Sequence, residues 1–397
     1  MLHETQVALA KRMLHHIDNK STDMLEREAF NNVSTFTSET QFAQEKRELF
    51  RKHPLIVGLT CQIPKPGDFL TDDFTGIPLL VTRTKQGEVR AYMNVCRHRG
   101  SKVEFEGTGC GRKVFTCPYH AWSFDLEGKL VGLPDAEGFS GIDRSQYGLR
   151  ELPVVEKHGI IWARHTPGEP IDLDALLGSE LSTELGAYDL ANWHHYETRV
   201  LHEKMNWKGV IDTFLEIYHV GKLHKKTIAP IFHDNLMVTD TFQRNGRMAI
   251  ARKTIAEVRD NPAACEDLLA HMAVVYQLFP NTVMVRQGEQ VEFWRIYPGA
   301  TTDESVMYIT LITPEPAVTE SAKRHWDRNM QLLMDTVDKE DFPVGRAMQA
   351  SFHSGAQEQL VYGRNEPVLA YYHRNIREAL GQPAEVQAKP AQAIAAR

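Results

Sequence analysis

Two short arms, Cys96-Arg97-His98 and Cys117-Pro118-Tyr119-His120, constrain this chain more than any other feature of it. Each arm offers one thiolate and one imidazole, and residues 99–116 lie between them. Such mixed arms suit a two-iron cluster in which both cysteines hold one iron and both histidines the other. Structural zinc favours C-x2-4-C and H-x3-5-H arms, so unlike ligands one residue apart fit it badly.

On these residues the chain resembles the Rieske proteins, and their flanks narrow the branch. Respiratory members carry an extra, disulfide-forming Cys in each loop; Ser101 and Tyr119 stand there in this chain. Those members also place a Ser and a Tyr after the second His, where Trp122 and Phe124 offer no hydroxyl. Fewer hydrogen bonds to the sulfurs imply a potential near the low end of the Rieske range, roughly −150 mV. The stretches Asn94–Gly100 and Cys117–Trp122 resemble the oxygenase branch.

An oxygenase needs a second site where O2 can bind, and residues 206–224 offer one. Asp212, Glu216 and His219 are spaced four and three apart, which a continuous helix would place on one stripe. His219 and His224 would sit about 140° apart on such a helix, so Gly221 is expected to end or loosen it. Two imidazoles and a carboxylate make the facial triad of non-haem Fe(II) oxygenases. The run Asn206-Trp207-Lys208 through Glu216-Ile217-Tyr218-His219 to His224 resembles the mononuclear-iron motif of Rieske non-haem iron oxygenases. The resemblance makes His219 and His224 ligands, and Glu216 the acid linking this iron to a neighbouring subunit's Rieske histidine. Asp212 is either an orienting acid or a plain helix-face acid. The resemblance also implies an Asp from a late helix, preceded by an acid and followed by a Gln eight residues on. Glu340-Asp341…Gln349 fits, making Asp341 the third ligand, with Asp335 and Asp338 as nearby competitors.

A chain of 397 residues has room for two domains, and its net charge of −7 argues against nucleic-acid binding. No signal core opens it and no apolar run approaches a membrane span. Beyond the two cluster cysteines, Cys61, Cys110 and Cys265 form no framework, which points to the reducing cytoplasm. No G-x-G-x-x-G is present, so electrons are expected from a partner: an NAD(P)H-dependent reductase, with or without a ferredoxin.

The expected fold class is α+β. Residues 1–50 read as a helical segment packing on the catalytic domain, and 51–165 as a small all-β Rieske [2Fe-2S] domain. Residues 166–382 read as a catalytic domain with an antiparallel sheet flanked by helices, holding mononuclear Fe(II), and 383–397 as a flexible tail. Asn245-Gly246 suggests a tight hairpin turn, and 319–352 a helix carrying Asp341. The resemblance implies a terminal oxygenase acting with O2 on an aromatic or related organic substrate, by ring hydroxylation or oxidative N- or O-dealkylation. It further implies a head-to-tail homotrimer, with a β subunit in some relatives. A Rieske electron-transfer protein is the alternative, and it leaves the second constellation idle. Pocket candidates are Phe214, Leu215, Ile231, Phe232, Val274, Tyr276, Val285 and Phe293.

Overall fold

The computed structural model describes residues 1–259 and 266–388. They form two compact units, one of Met1, 46–197 and 312–316, the other of 2–45, 198–311 and 317 onward.

In the first unit, short strands with turns between them build small antiparallel sheets. One has five strands, in the order Glu151–Leu152, Val89–Met93, Leu79–Arg83, Phe69–Asp72 and Thr108–Gly109. Another pairs Val114–Thr116, Ser123–Asp125 and Leu130–Gly132. Phe69, Leu80, Phe115, Trp122 and Phe124 pack into one buried cluster with Cys96 and Cys117. Residues 166–197 fall in this compact unit. The helical segment Leu173–Gly186 buries Leu177, Leu181 and Leu185, and its Ser182 Oγ lies 2.9 Å from His158 Nε2.

A seven-stranded antiparallel sheet, lying for the most part in the second unit, runs from His194–Glu203 through Ser305–Thr313, Gln290–Pro298, Thr282–Gln287, Met272–Leu278 and Asn245–Arg252 to Phe232–Phe242. The hairpin between the last two strands turns at Gln243-Arg244, two residues before the expected Asn245-Gly246. Asn245 is instead a buried strand residue paired with Phe242, and its Oδ1 accepts from Phe279 N–H. Residues 1–50 are less uniformly helical than expected. After the helix His3–Asn19, Ala29–Asn32 is a strand paired with Gln359–Tyr362. Of the expected flexible tail, Ala384 O accepts from Arg377 and Gln387 O from Gln359. Residues 389–397 lie outside the described residues. No described helix is long and apolar enough to cross a membrane.

The Asn206-Trp207-Lys208 run anchors this unit. Asn206 caps the helix Trp207–Asp212 by accepting from Lys208 N–H, and its own N–H donates to Gln349 Oε1 at 3.2 Å. Trp207 Nε1 and Lys208 Nζ both donate to Glu45 Oε2, at 2.9 and 2.7 Å. The Lys208 and Glu45 side chains are fully buried, and burial pushes the ammonium pKa down against the pull of Glu45. Lys208→Met strands the Glu45 charge in the core. It is expected to cost about 3–5 kcal/mol, read as a fall in the denaturant midpoint.

Candidate metal centres

The two cysteine loops repeat one device. Cys96 N–H donates to Ser101 O and Gly100 N–H to Cys96 O; Cys117 N–H donates to Trp122 O and Ala121 N–H to Cys117 O. In each loop the residue four past the cysteine turns left-handed, Gly100 at φ 83° and Ala121 at φ 56°. The positive φ suits glycine and strains alanine. Both cysteines are buried, and desolvation together with its neighbour Cys117 pushes the Cys96 thiol pKa up.

The His98 and His120 rings lie 4.7 Å apart. Trp122 stacks on His98 at 5.0 Å and 10°, laying an apolar ring face against the imidazole. His98 Nδ1 is buried with no hydrogen-bond partner. Two facing thiols, two facing imidazoles and an orphaned ring nitrogen are the donor set a [2Fe-2S] group needs. Cys61, by contrast, is an isolated thiol pushed up to about 12 by burial. Cys110 is exposed, and Cys265 lies outside the described residues.

At the second centre the expected single helix is absent. The helix Trp207–Asp212 stops, residues 213–218 turn, and His219 caps a separate one-turn helix, Val220–Leu223, which ends at His224. That break solves the 140° problem. Gly221 lies inside the short helix, where a Cβ would come within 2.0 Å of Asp234 Oδ1. It therefore does not end that helix, and Asp234, an exposed side chain, can swing aside from a Cβ there.

His219 Nε2 and His224 Nε2 lie 3.5 and 3.1 Å from Asp341 Oδ1. One ligand atom from each of the three residues falls within 4.8 Å of the others. Asp341 closes a π-helical segment, Val337–Asp341, between the helices Glu320–Thr336 and Phe342–Phe352. A wider turn of this kind re-aims side chains and recurs at functional sites. Of the competitors, Asp335 pairs with Lys339 at 2.9 Å and Asp338 is exposed.

Each imidazole is held from behind by a carboxylate. His219 Nδ1 bonds Glu216 Oε1, and His219 N–H donates to Glu216 Oε2 at 3.1 Å. His224 Nδ1 lies 2.6 Å from Glu340 Oε2, which also accepts from Thr227 Oγ1 at 2.6 Å. Burial pushes the His224 pKa down, but Asp341 and Glu340 outweigh it and hold it above the ordinary value. Burial likewise raises Glu340, and its bonds from Thr227 and His224 bring it below the usual range, so it stays a carboxylate. A proton on each Nδ1 leaves both Nε2 lone pairs for a cation.

Sequence reasoning placed Glu340 only as the acid beside Asp341 and gave Thr227 no role. The acid-acid pair at 340–341 was the available signal. Glu340→Gln keeps an acceptor but removes the charge behind His224. Iron affinity is expected to fall roughly tenfold, at the lower end of outer-partner losses, in chelator competition with the cluster spectrum unchanged.

Asp212 does not reach either ligand histidine. Its Oδ1 lies 2.8 Å from His373 Nε2, and His373 Nδ1 lies 3.0 Å from Asn31 Nδ2. It ties the Trp207–Asp212 helix to the helix Pro367–Ala379, a partnership no local spacing announced.

A cavity of about 490 Å³ opens on His219, His224 and Asp341. Its sheet wall follows from the strand register. Ile250, Ala273, Gln287 and Gln290 are successive partners across four strands, and Val275, Val285 and Glu292 across three of them. Partners directly opposite share a face. Phe214, Ile231, Phe232 and Val285 line it as expected; Leu215, Val274, Tyr276 and Phe293 are buried core. A larger hollow of about 830 Å³, beside residues 25–30 and the Pro367–Ala379 helix, contains none of the metal-binding candidates.

Comparison with known proteins agrees with both centres. Residues 53–153 match the Rieske [2Fe-2S] domain, and residues 190–382 match the ring hydroxylating alpha subunit (catalytic domain). The chain belongs to the Rieske oxygenase alpha-subunit family. That family holds a Rieske [2Fe-2S] cluster and a mononuclear iron, and the donor sets described above fit both.

Among its relatives is a glycine betaine monooxygenase oxygenase subunit of Pseudomonas aeruginosa (strain UCBPP-PA14). It is 35% identical over 187 residues, 47% of this chain and 43% of that protein. The biphenyl 2,3-dioxygenase subunit alpha of Rhodococcus jostii (strain RHA1) is 33% identical over 196 residues, 47% of this chain and 41% of that one. The matched stretches thus span under half the length of these two relatives. A solved quaternary ammonium Rieske monooxygenase, CntA, in complex with L-carnitine shares the fold. Its TM-score is 0.74 at 20% identity, covering 90% of this chain and 96% of that one.

Proposed function

We propose that this Rieske oxygenase alpha subunit is a terminal oxygenase that oxidises a small organic substrate with O2, in the reducing cytoplasm. Electrons come from a separate NAD(P)H-dependent reductase, with or without a ferredoxin. Cys96, His98, Cys117 and His120 hold the cluster; His219, His224 and Asp341 hold Fe(II). When bound, these groups supply electron storage and O2 activation at a metal with open coordination positions.

The observation that carries this reading is the convergence of both Nε2 atoms on Asp341 in a cavity wall, each ring oriented by its own carboxylate. A simple electron carrier has no use for such a cavity. Glu216 spends two acceptor positions on His219, and an ionised carboxylate has about four. The remainder suits a histidine of a neighbouring subunit's cluster, as a closed head-to-tail homotrimer would place it.

The cavity's contents favour one chemistry over the other. Phe214, Phe232 and Trp326 share it with Arg252, Gln287, Gln290 and Glu292. This mixture supports a compact, polar-ended substrate, of the betaine or carnitine kind, over a polycyclic hydrocarbon. Oxidative N-demethylation is therefore preferred to ring hydroxylation.

The test supplies the iron-loaded chain with NADH, a surrogate reductase and a panel of betaines, aromatic acids and anilides. Substrate-dependent O2 uptake with an oxidised product by mass spectrometry is expected. A cluster that cycles electrons with no product from any substrate would favour the electron-carrier alternative.

A further inference from the structure

Among the described residues lining the cavity, Arg252 is the only lysine or arginine. It lies opposite Phe232 in the sheet and two residues beyond Ile250, so its side chain shares the cavity-facing surface. Its Nε is buried without a hydrogen-bond partner, and the described residues give its guanidinium no ion pair. Its Cζ lies over the Phe232 ring, 5.8 Å from the ring centroid.

The acids of the same cavity are otherwise engaged. Glu216 and Asp341 face the histidines. Glu292 accepts from Gln287 Nε2 at 2.7 Å, from Gln290 Nε2 at 2.6 Å and from Trp294 Nε1 at 3.4 Å. Burial raises its pKa further against those bonds, so it is a poor counter-charge. Glu289 is exposed and makes no ion pair with Arg252.

A half-buried guanidinium whose Nε lacks a partner, and that has no anion beside it, is stabilised when a ligand brings one. The planar donor fork of arginine matches a carboxylate. We propose that Arg252 determines specificity by pairing with a carboxylate of the substrate, so the substrate is a small organic acid or zwitterion. Hydrocarbons and simple cations are then disfavoured. This rests on the oxygenase reading for the identity of the cavity, but not for the pairing itself.

The experiment uses the fully iron-loaded protein under anaerobic conditions and matched probes: γ-butyrobetaine with its methyl ester, glycine betaine with its methyl ester, and 4-methoxybenzoate with 4-methoxybenzamide. Calorimetry gives a dissociation constant for each. In at least one pair the acid is expected to bind about 30-fold or more tightly than its neutral-ended partner. Arg252→Met should abolish that preference while leaving the ester or amide affinity, the iron content and the cluster spectrum as they were. Arg252→Lys should restore part of it.

Parity within every pair, including absence of binding by both members, would overturn the assignment. So would a preference that survives in Arg252→Met. Turnover is scored separately on the same samples. An acid preference that depends on Arg252 but yields no O2-dependent product upholds the carboxylate site and overturns the oxygenase reading.

Discussion

Replacing His224 with alanine is expected to remove the mononuclear iron and all O2-dependent turnover while the [2Fe-2S] spectrum stays intact. The side chain is almost wholly buried, with Nε2 3.1 Å from Asp341 Oδ1 and Nδ1 bound to Glu340. Alanine deletes one of three donors and leaves Asp341 and Glu340 facing a gap. The loss of iron affinity should exceed the roughly 10–100-fold that removal of an outer partner costs. His219→Ala should behave alike. For Asp341→Ala the same loss is expected, because Asp335 and Asp338 are directed elsewhere. Iron determination and turnover of each variant beside the wild type check this. Normal iron content and activity in Asp341→Ala would dissolve the proposed triad.

Glu216→Gln is expected to separate metal binding from electron delivery. Gln keeps an acceptor for His219, so both irons should load. What it loses is the negative charge that orients the His219 ring and, in the proposed trimer, a second imidazole from the neighbouring cluster. Oxidation of the reduced cluster after mixing with O2 and substrate should slow by roughly 10–100-fold. Stopped-flow absorbance reads it directly. Cluster oxidation at the wild-type rate would exclude Glu216 from the route between the centres.

The cluster ligands were legible because a cluster loop is local. Cys and His one or two residues apart are brought together by a turn that closes on itself, as the repeated bonds around Gly100 and Ala121 show. His219 and His224 were legible by residue type, but their geometry was not. A continuous helix would have separated them, and only the break after Asp212 and the one-turn helix beyond it bring them together.

The rest of the site depends on partners distant in sequence. Glu340 reaches His224 across 116 positions, and Asp212 reaches His373 across 161. No periodicity near Asp212 distinguishes an acid that holds a remote helix from one that orients a ligand. The Asn206-Trp207-Lys208 run was read as part of a metal motif, yet its side chains hold Glu45, Phe36 O and Thr302 O. Arg252 was overlooked because its isolation is a property of the folded cavity: a lone arginine in a strand carries no sign that it will lack an acid.

The most direct test of two iron centres in one chain is an iron determination paired with EPR on the anaerobically reconstituted, chemically reduced protein. The account predicts a reduced Rieske signal from two cluster irons, with one further Fe per chain that is lost selectively in His224→Ala. Cluster iron alone in the wild type, or an extra iron that persists undiminished in His224→Ala, would contradict it.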